Sequence, residues 1–308
     1  MAKNLRFVAS CGGATQLGVM ARKYRALRAQ VPRTEGTMNL IEWLHANDTH
    51  VDWSLFGEPW DLMQLRHNPF RTEQIQSLLS ASGVLQLDHP AVLDLGCGPG
   101  ILGKLILKQR PAAHYVGADS DPLMLTAMRH LVEGTNVQSV LVDLREGSWT
   151  RAVRGPFDSV VSLTALHWLS QAHQKELYSD VFSVLKDGGS FVVGDPYLPE
   201  DPHERELLSH LQERRIQQEQ GQTWEEFWNA FCVRYPIRQI RADYHESRGD
   251  PGLFEGTDDG YPLAFQIKAL QEAGFINPTV IWKDGLRAVY GGMKPAHERK
   301  VLSPSGAS

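Results

Sequence analysis

The apolar run Ala91-Val92-Leu93-Asp94-Leu95 passes without a linker into Gly96-Cys97-Gly98-Pro99-Gly100. Three glycines at alternate positions directly after a buried strand narrow the choice of fold. They bring bare backbone to the strand's end, where a ligand can approach and any Cβ would collide. Around this point the pattern alternates. Strands are expected at 91–95, 114–118, 137–142, 157–163 and 190–193, with helices at 101–109, 122–131 and 171–185. Asp121 suits the N-cap and Pro122 the first position of the second helix. Lys186-Asp187-Gly188-Gly189 is expected to close the third. Strands alternating with helices imply an α/β fold with a doubly wound parallel sheet. A helix at 263–273, closed by Gly274, then leads into strands 279–283 and 286–291 joined by Asp284-Gly285. Asp-Gly between apolar runs is a strong hairpin signal, so the seven-stranded sheet should end with an antiparallel last strand.

Two sections stand outside this rhythm. Residues 39–83 are rich in large aromatics, among them Trp43, Trp53, Phe56, Trp60 and Phe70, and end in a helix at 72–79. Residues 196–260 read as helices at 204–219 and 224–232, then a Gly/Asp-rich turn region. The expected organisation is an N-terminal helical extension or cap (1–70), a core (71–195), a helical lid carrying the acceptor site (196–260), the end of the core sheet (261–293) and a flexible tail (294–308). Residues 1–34 hold seven basic side chains and no acidic one, so the remainder carries −12 against −5 for the whole chain. Leu17, Met20, Tyr24, Leu27 and Val31 form a helical stripe there. That spacing favours a packed helix with a solvated basic face over a mitochondrial transit peptide. Val8-Ala9-Ser10-Cys11 resembles a lipoprotein cleavage box, but the apolar run before it is too short for a signal core.

Composition excludes several classes. A net charge of −5 is not a nucleic-acid-binding balance. No stretch reaches the ~18 apolar residues that a membrane helix needs. Cys11, Cys97 and Cys232 are odd in number and lack CxxC spacing, which argues against a disulfide framework or a metal site. The expectation is a soluble, cytoplasmic protein without a metal; oligomeric state is open.

Carboxylates follow the glycine turn in order. Asp94 lies at the end of the first strand, Asp119 at the end of the second and Asp143 at the end of the third. Such sheets bind ligands at the carboxyl ends of their strands. Each acid alone is equally well read as an N-cap or turn residue. The three together with the turn point to a nucleotide-like ligand. Gly98, Gly100 and Gly103 also match the dinucleotide register, but Asp94 opposes a phosphate and suits an ammonium. Asp119 can accept both hydroxyls of a ribose, and Asp143 the exocyclic amine of adenine.

Val92 to Gly100 with Asp119 and Asp143 resembles the class I S-adenosylmethionine-dependent methyltransferases, whose first strand carries this DxGxGxG pattern. The resemblance extends through 157–162, Leu166-His167-Trp168-Leu169, 184–189 and Ala273-Gly274-Phe275, about residues 70–292 in all. It implies a Rossmann-like fold and S-adenosyl-L-methionine as cofactor. Gly96, Cys97, Gly98 and Gly100 would line the methionine moiety, beside Asp94. Asp119 would bind the ribose, Ser120 would lie near adenine, and Asp143 and Leu144 would read the adenine edge. Leu163 would offer backbone to the amino group, and Arg71 resembles an upstream arginine that meets the cofactor carboxylate.

The same resemblance places 163–168 nearest the transferring methyl, which makes His167 the candidate base or acceptor-orienting residue and Trp168 a pocket wall. The His-Trp pair resembles methyltransferases of small carboxylic acids such as trans-aconitate. For an anionic acceptor, Arg234, Arg238 and Arg241 of the insertion, with Tyr235 nearby, are the candidate contacts, and Trp60 belongs to an apolar cap. Each also has a plain reading as a solvated charge or packing residue. The expected function is O-methylation of a small organic acceptor. Alternatives are a tRNA-modifying methyltransferase, a cofactor-binding regulator without transfer activity, and, least favoured, a dehydrogenase.

Overall fold

The computed structural model describes residues 39–248 and 256–296. The basic stripe at 17–31, Cys11 and the tail from 297 onward lie outside the described residues.

Seven strands form one sheet: β1 (Ala91–Leu95), β2 (His114–Asp119), β3 (Val137–Leu141), β4 (Phe157–Leu163), β5 (Leu185–Pro196), β6 (Ile276–Asp284) and β7 (Arg287–Met293). Their order is β3-β2-β1-β4-β5-β7-β6. The first five run parallel, and β7 inserts antiparallel between β5 and β6. The order reverses between β1 and β4, the point at which doubly wound sheets open a crevice at their carboxyl edge. Crossover helices α4 (Ile101–Gln109), α5 (Pro122–Leu131), α6 (Trp149–Val153) and α7 (Gln171–Val184) flank the sheet, with α3 (Arg71–Ala81) before it and α11 (Leu263–Glu272) ahead of the final hairpin. Asp121 caps α5 by accepting from the Leu123 N–H, with Pro122 at the first helical position as expected.

Two expectations change. The helix α7 ends at Val184, and Leu185 to Gly189 already belongs to β5. The Gly188-Gly189 turn pairs with the chain after β7 instead, through Gly188 N–H to the Lys294 carbonyl and Lys294 N–H to the Gly189 carbonyl. The expected turn region after Pro236 holds a further helix, α10 (Arg238–Ser247), behind α8 (Pro202–Ile216) and α9 (Trp224–Arg234). Its apolar spacing rests on little besides Ile237, Ile240 and Tyr244, too sparse to stand out among charged residues.

The sheet buries one apolar cluster on each face, centred on Tyr178, Phe191 and Tyr290 on one side and on Leu78, Ile106 and Met128 on the other. A third cluster joins sections distant in sequence. Helices α1 (Leu40–Asn47) and α2 (Glu58–His67), with the turn Trp53–Phe56 between them, pack their aromatics on α9 and on Leu123 and Met124 of α5. A capping box of Asn39 with Glu42 begins α1. Phe56 sits at the centre, its ring 5.5 Å from Trp60, 5.6 Å from Phe227 and 5.0 Å from Phe231. Among the described residues no helix is long and apolar enough to cross a membrane.

Phe56→Ala should cost about 3–5 kcal/mol, the usual loss for emptying a buried aromatic site. Urea unfolding followed by tryptophan fluorescence measures it; an unchanged midpoint would mean that the third cluster does not contribute to cooperative stability.

Candidate functional site

The glycine turn takes a left-handed path, with φ of +67° at Gly96, +53° at Gly98 and +88° at Gly100. The reason differs along it. A Cβ on Gly96 would lie 2.3 Å from the Ala165 Cβ, and one on Gly100 2.5 Å from Val132, so these two are glycines because protein lies against them. A Cβ on Gly98 would meet nothing within 4 Å. That one position borders open space, where a ligand can approach the backbone. Cys97 turns its side chain inward, its sulfur 3.6 Å from that of Met128. Burial pushes its thiol pKa well up, which leaves Cys97 as packing. A Cβ on Gly103 would stand 2.5 Å from the Tyr115 ring, so the third glycine of the dinucleotide register makes room for that tyrosine.

The three acids occupy the strand ends as expected, in different electrostatic states. Asp94 is buried and accepts from the Tyr115 hydroxyl at 2.6 Å, while its Oδ1 has no partner. Burial pushes its pKa up to about 7, against the Tyr115 hydrogen bond. Asp119 accepts from the Gly98 N–H at 2.8 Å and the Asp121 N–H at 2.9 Å, which ties β2 to the glycine turn. Burial raises it to about 6. Asp143 is gripped by Arg145, with Nε at 2.9 Å and Nη2 at 2.5 Å, and has Arg248 3.8 Å away. Burial works to raise it, yet the hydrogen bonds and charge of Arg145 hold it below the usual carboxylate range. A cleft beside it is lined by Val142, Asp143, Trp149 and Arg248. Ser120 lies half-buried between Asp119 and Asp121, and Leu144 packs against the sheet's core.

The end of β4 carries the densest constraint. Leu163 is buried and its carbonyl accepts from the Thr164 hydroxyl at 2.8 Å. Thr164 has φ of +53°, a sparsely populated region for a β-branched residue, and its N–H donates to the Gly194 carbonyl at 2.7 Å. His167 follows, buried, with Asp195 of β5 holding it twice: Oδ2 accepts from the His167 backbone N–H and Oδ1 faces Nδ1, both at 2.9 Å. A carboxylate on Nδ1 favours the proton there, which leaves Nε2 as the acceptor. The Trp168 ring packs 4.3 Å from the imidazole, and Thr257 and Gly256 donate to the carbonyls of His167 and Trp168.

The other expected contacts go elsewhere. Trp60 stacks within the third cluster, 5.5 Å from Trp224. Arg234 is exposed and faces Asp52 at 3.5 Å, the Tyr235 hydroxyl accepts from the Asp52 N–H, and Arg238 donates to Asn229. Their polar atoms tie the insertion to itself and to the N-terminal section, because apolar packing there brings α9 onto the turn at Asp52. The insertion reaches the start of α5, just past β2, through another arginine. Arg241 of α10 clamps Asp121 at 2.8 and 2.5 Å, with His245 at 3.8 Å, and their charges drive the Asp121 pKa down against its burial. Arg71 is buried as the first residue of α3, with Nη1 unpartnered, and burial lowers its pKa to about 10. Asp195 was not singled out in the sequence, although it is a further acid at a strand end; Arg241 was, as a candidate anion contact beside Arg234 and Arg238, and its partner is Asp121 instead.

Residues 92–189 match the methyltransferase domain family. A segment of 161 residues is 31% identical to trans-aconitate 2-methyltransferase of Streptomyces coelicolor, covering 51% of each chain. Over 207 residues, 62% of this chain, it is 35% identical to malonyl-[acyl-carrier protein] O-methyltransferase of Magnetococcus marinus, covering 65% of that protein. The chain spans about half the length of the curated relatives it matches. The structure of an O-methyltransferase family protein from Burkholderia thailandensis superposes with a TM-score of 0.52 at 14% identity, over 92% of this chain and 71% of that one, a likeness of fold.

Tyr115→Phe removes the donor that favours ionised Asp94. It should cost about 1–3 kcal/mol at pH 8, the usual penalty for an unmade buried bond. With the folded pKa raised to about 7, Asp94 contributes stability that is fully present below its unfolded value and lost as pH rises through 7. The variant's deficit should therefore shrink as pH falls from 8 to 5.5. Denaturant titrations at both pH values measure it; an equal deficit at both would contradict the assignment.

Proposed function

We propose that this chain, whose core belongs to the class I S-adenosylmethionine-dependent methyltransferases, methylates a small organic acceptor on oxygen. The observation that carries this reading is the His167–Asp195 pair beside the glycine turn, joined to it by the Gly96–Ala165 contact. The residues present fit the cofactor. The unpartnered Oδ1 of Asp94 suits an ammonium, the open space at Gly98 admits a ligand against backbone, and Asp119 offers ribose hydroxyls a carboxylate that already braces the turn. Asp143 and the Leu144 backbone are assigned to the adenine edge, Leu163 to the amino group and Arg71 to the carboxylate.

When bound, S-adenosylmethionine would supply a sulfonium methyl for in-line transfer to a nucleophilic oxygen, the new C–O bond replacing the C–S bond whose electron pair stays on sulfur. The protein's own part is positioning, worth most of the acceleration in a displacement of this kind. For a hydroxyl acceptor, His167 takes the proton at Nε2 while Asp195 holds the ring in place through Nδ1. A carboxylate acceptor arrives ionised and asks only for orientation. The insertion is docked on Asp121 through Arg241, a position from which it would shield the site from water.

His167→Ala should lower kcat for a hydroxyl acceptor about 10²-fold or more, in the range of general-base loss, and leave S-adenosylhomocysteine affinity intact. Turnover that survives at saturating acceptor would remove His167 from proton transfer. Asp119→Ala should weaken calorimetric binding of S-adenosylhomocysteine about 10-fold or more, as for loss of hydrogen bonds to a charged group. Wild-type binding without transfer across an acceptor panel would favour a non-catalytic regulator, and salt-sensitive binding of tRNA would favour the RNA-modifying reading.

A further inference from the structure

The turn that carries His167 is held by more than Asp195. Its buried carbonyls need donors as much as its N–H groups need acceptors. Those of His167 and Trp168 accept from Thr257 and Gly256. Those of Leu166 and Leu169, on either side of that pair, share one side chain: Gln174 Nε2 lies 2.7 Å from the first and 3.4 Å from the second. Leu166 also accepts from the Leu169 N–H within the turn, and Leu169 from the Tyr261 hydroxyl.

Gln174 is wholly buried, one turn into α7, whose N-cap Ser170 directly follows the turn. Two carbonyls on one side of its amide can be met only by N–H, so the amide has a single workable orientation. Its Oε1 then accepts from Gln266 Nε2 of α11 at 3.0 Å. Gln266, so turned, offers Oε1 to the Tyr178 hydroxyl at 2.5 Å, and that hydroxyl lies 3.3 Å from the Tyr290 hydroxyl of β7. Burial pushes the pKa of both phenols well up, so both keep the proton they donate. Each link fixes the direction of the next. Tyr290 donates to Tyr178, Tyr178 to Gln266, Gln266 to Gln174, and Gln174 to the turn.

These four side chains are buried in the apolar cluster of Phe191 and Leu270. Polar groups there lose hydration that apolar ones would not, and they are tolerated when every member is satisfied, which leaves one arrangement. The apolar packing has no need of such a chain, whereas the turn does. We infer that Gln174, oriented by Gln266 and Tyr178, is a positioning residue for His167: it holds the carbonyls at 166 and 169 from α7 while Asp195 holds the imidazole from β5, so that Nε2 keeps one direction. The inference rests on the methyltransferase reading, in which His167 takes a proton at Nε2, and adds the group that keeps it aimed.

The test is NMR on the full chain with isotope-labelled histidine. The Nδ1 proton of His167 is assigned by its loss in His167→Gln, and its exchange with water is read against that of the Leu93 amide in β1, which reports opening of the whole core. Wild type should show a protected Nδ1 proton. Gln174→Met keeps the side chain's length and loses the donor; it should speed Nδ1 exchange about 10-fold relative to Leu93, the factor for one hydrogen bond, with calorimetric affinity for S-adenosylhomocysteine unchanged. A lowered thermal midpoint without that relative change would make Gln174 a packing residue and overturn the inference, as would a wild type whose Nδ1 proton is unprotected. Should Gln174→Met fail to fold, Gln266→Met decides: it leaves the turn's own bonds in place and frees the Gln174 amide to rotate, so faster exchange supports the inference and unchanged exchange overturns it. In all these cases S-adenosylhomocysteine binding by wild type leaves the methyltransferase reading standing. Its absence overturns that reading, and the catalytic purpose of the brace with it.

Discussion

The glycine turn after β1 and the turn after β4 are pressed together until no Cβ fits between Gly96 and Ala165. The proposed site is arranged around that contact. It fixes the distance between the glycine turn and the segment that carries His167, which the proposed displacement needs held closely. The strained backbone of Thr164 lies in the same turn, tied down by the Gly194 carbonyl. Strain of that kind persists only where surrounding structure over-determines it.

Buried charge divides into groups that the fold satisfies and groups that it leaves open. Asp121, Asp143 and Asp195 each meet a basic partner or a paired donor, and they position α10, the β3 end and His167 respectively. Asp94 Oδ1, Arg71 Nη1 and Arg287 Nε have no partner. Unpaired buried charge is unfavourable in an empty site and becomes binding energy when a ligand of opposite charge arrives.

The third aromatic cluster gives the two non-alternating sections a common purpose. Trp53, Phe56 and Trp60 from before the sheet close on Phe227 and Phe231 from the insertion, and both rest on Leu123 of α5. That packing carries α10 to Asp121, two residues from Asp119. Arg234, Tyr235 and Arg238 are consumed in the same joint, so their resemblance to an anion site in sequence is a consequence of where a polar joint must run around an apolar one.

Much of the sheet was legible in the chain. The β1, α4, α5 and β4 spans, the acids at three strand ends and the Asp284-Gly285 hairpin all follow from local periodicity and turn chemistry, which act over a few residues. What the sequence left undetermined are pairings across long separations. Asp195 reaches His167 across 28 residues and Arg241 reaches Asp121 across 120. No local pattern encodes such a pair, because each depends on which helix packs on which face and in what register. The glycines show the same division at one site. The sequence determined that 96, 98 and 100 carry no Cβ, and only tertiary packing decided that two make room for protein while the third faces open space.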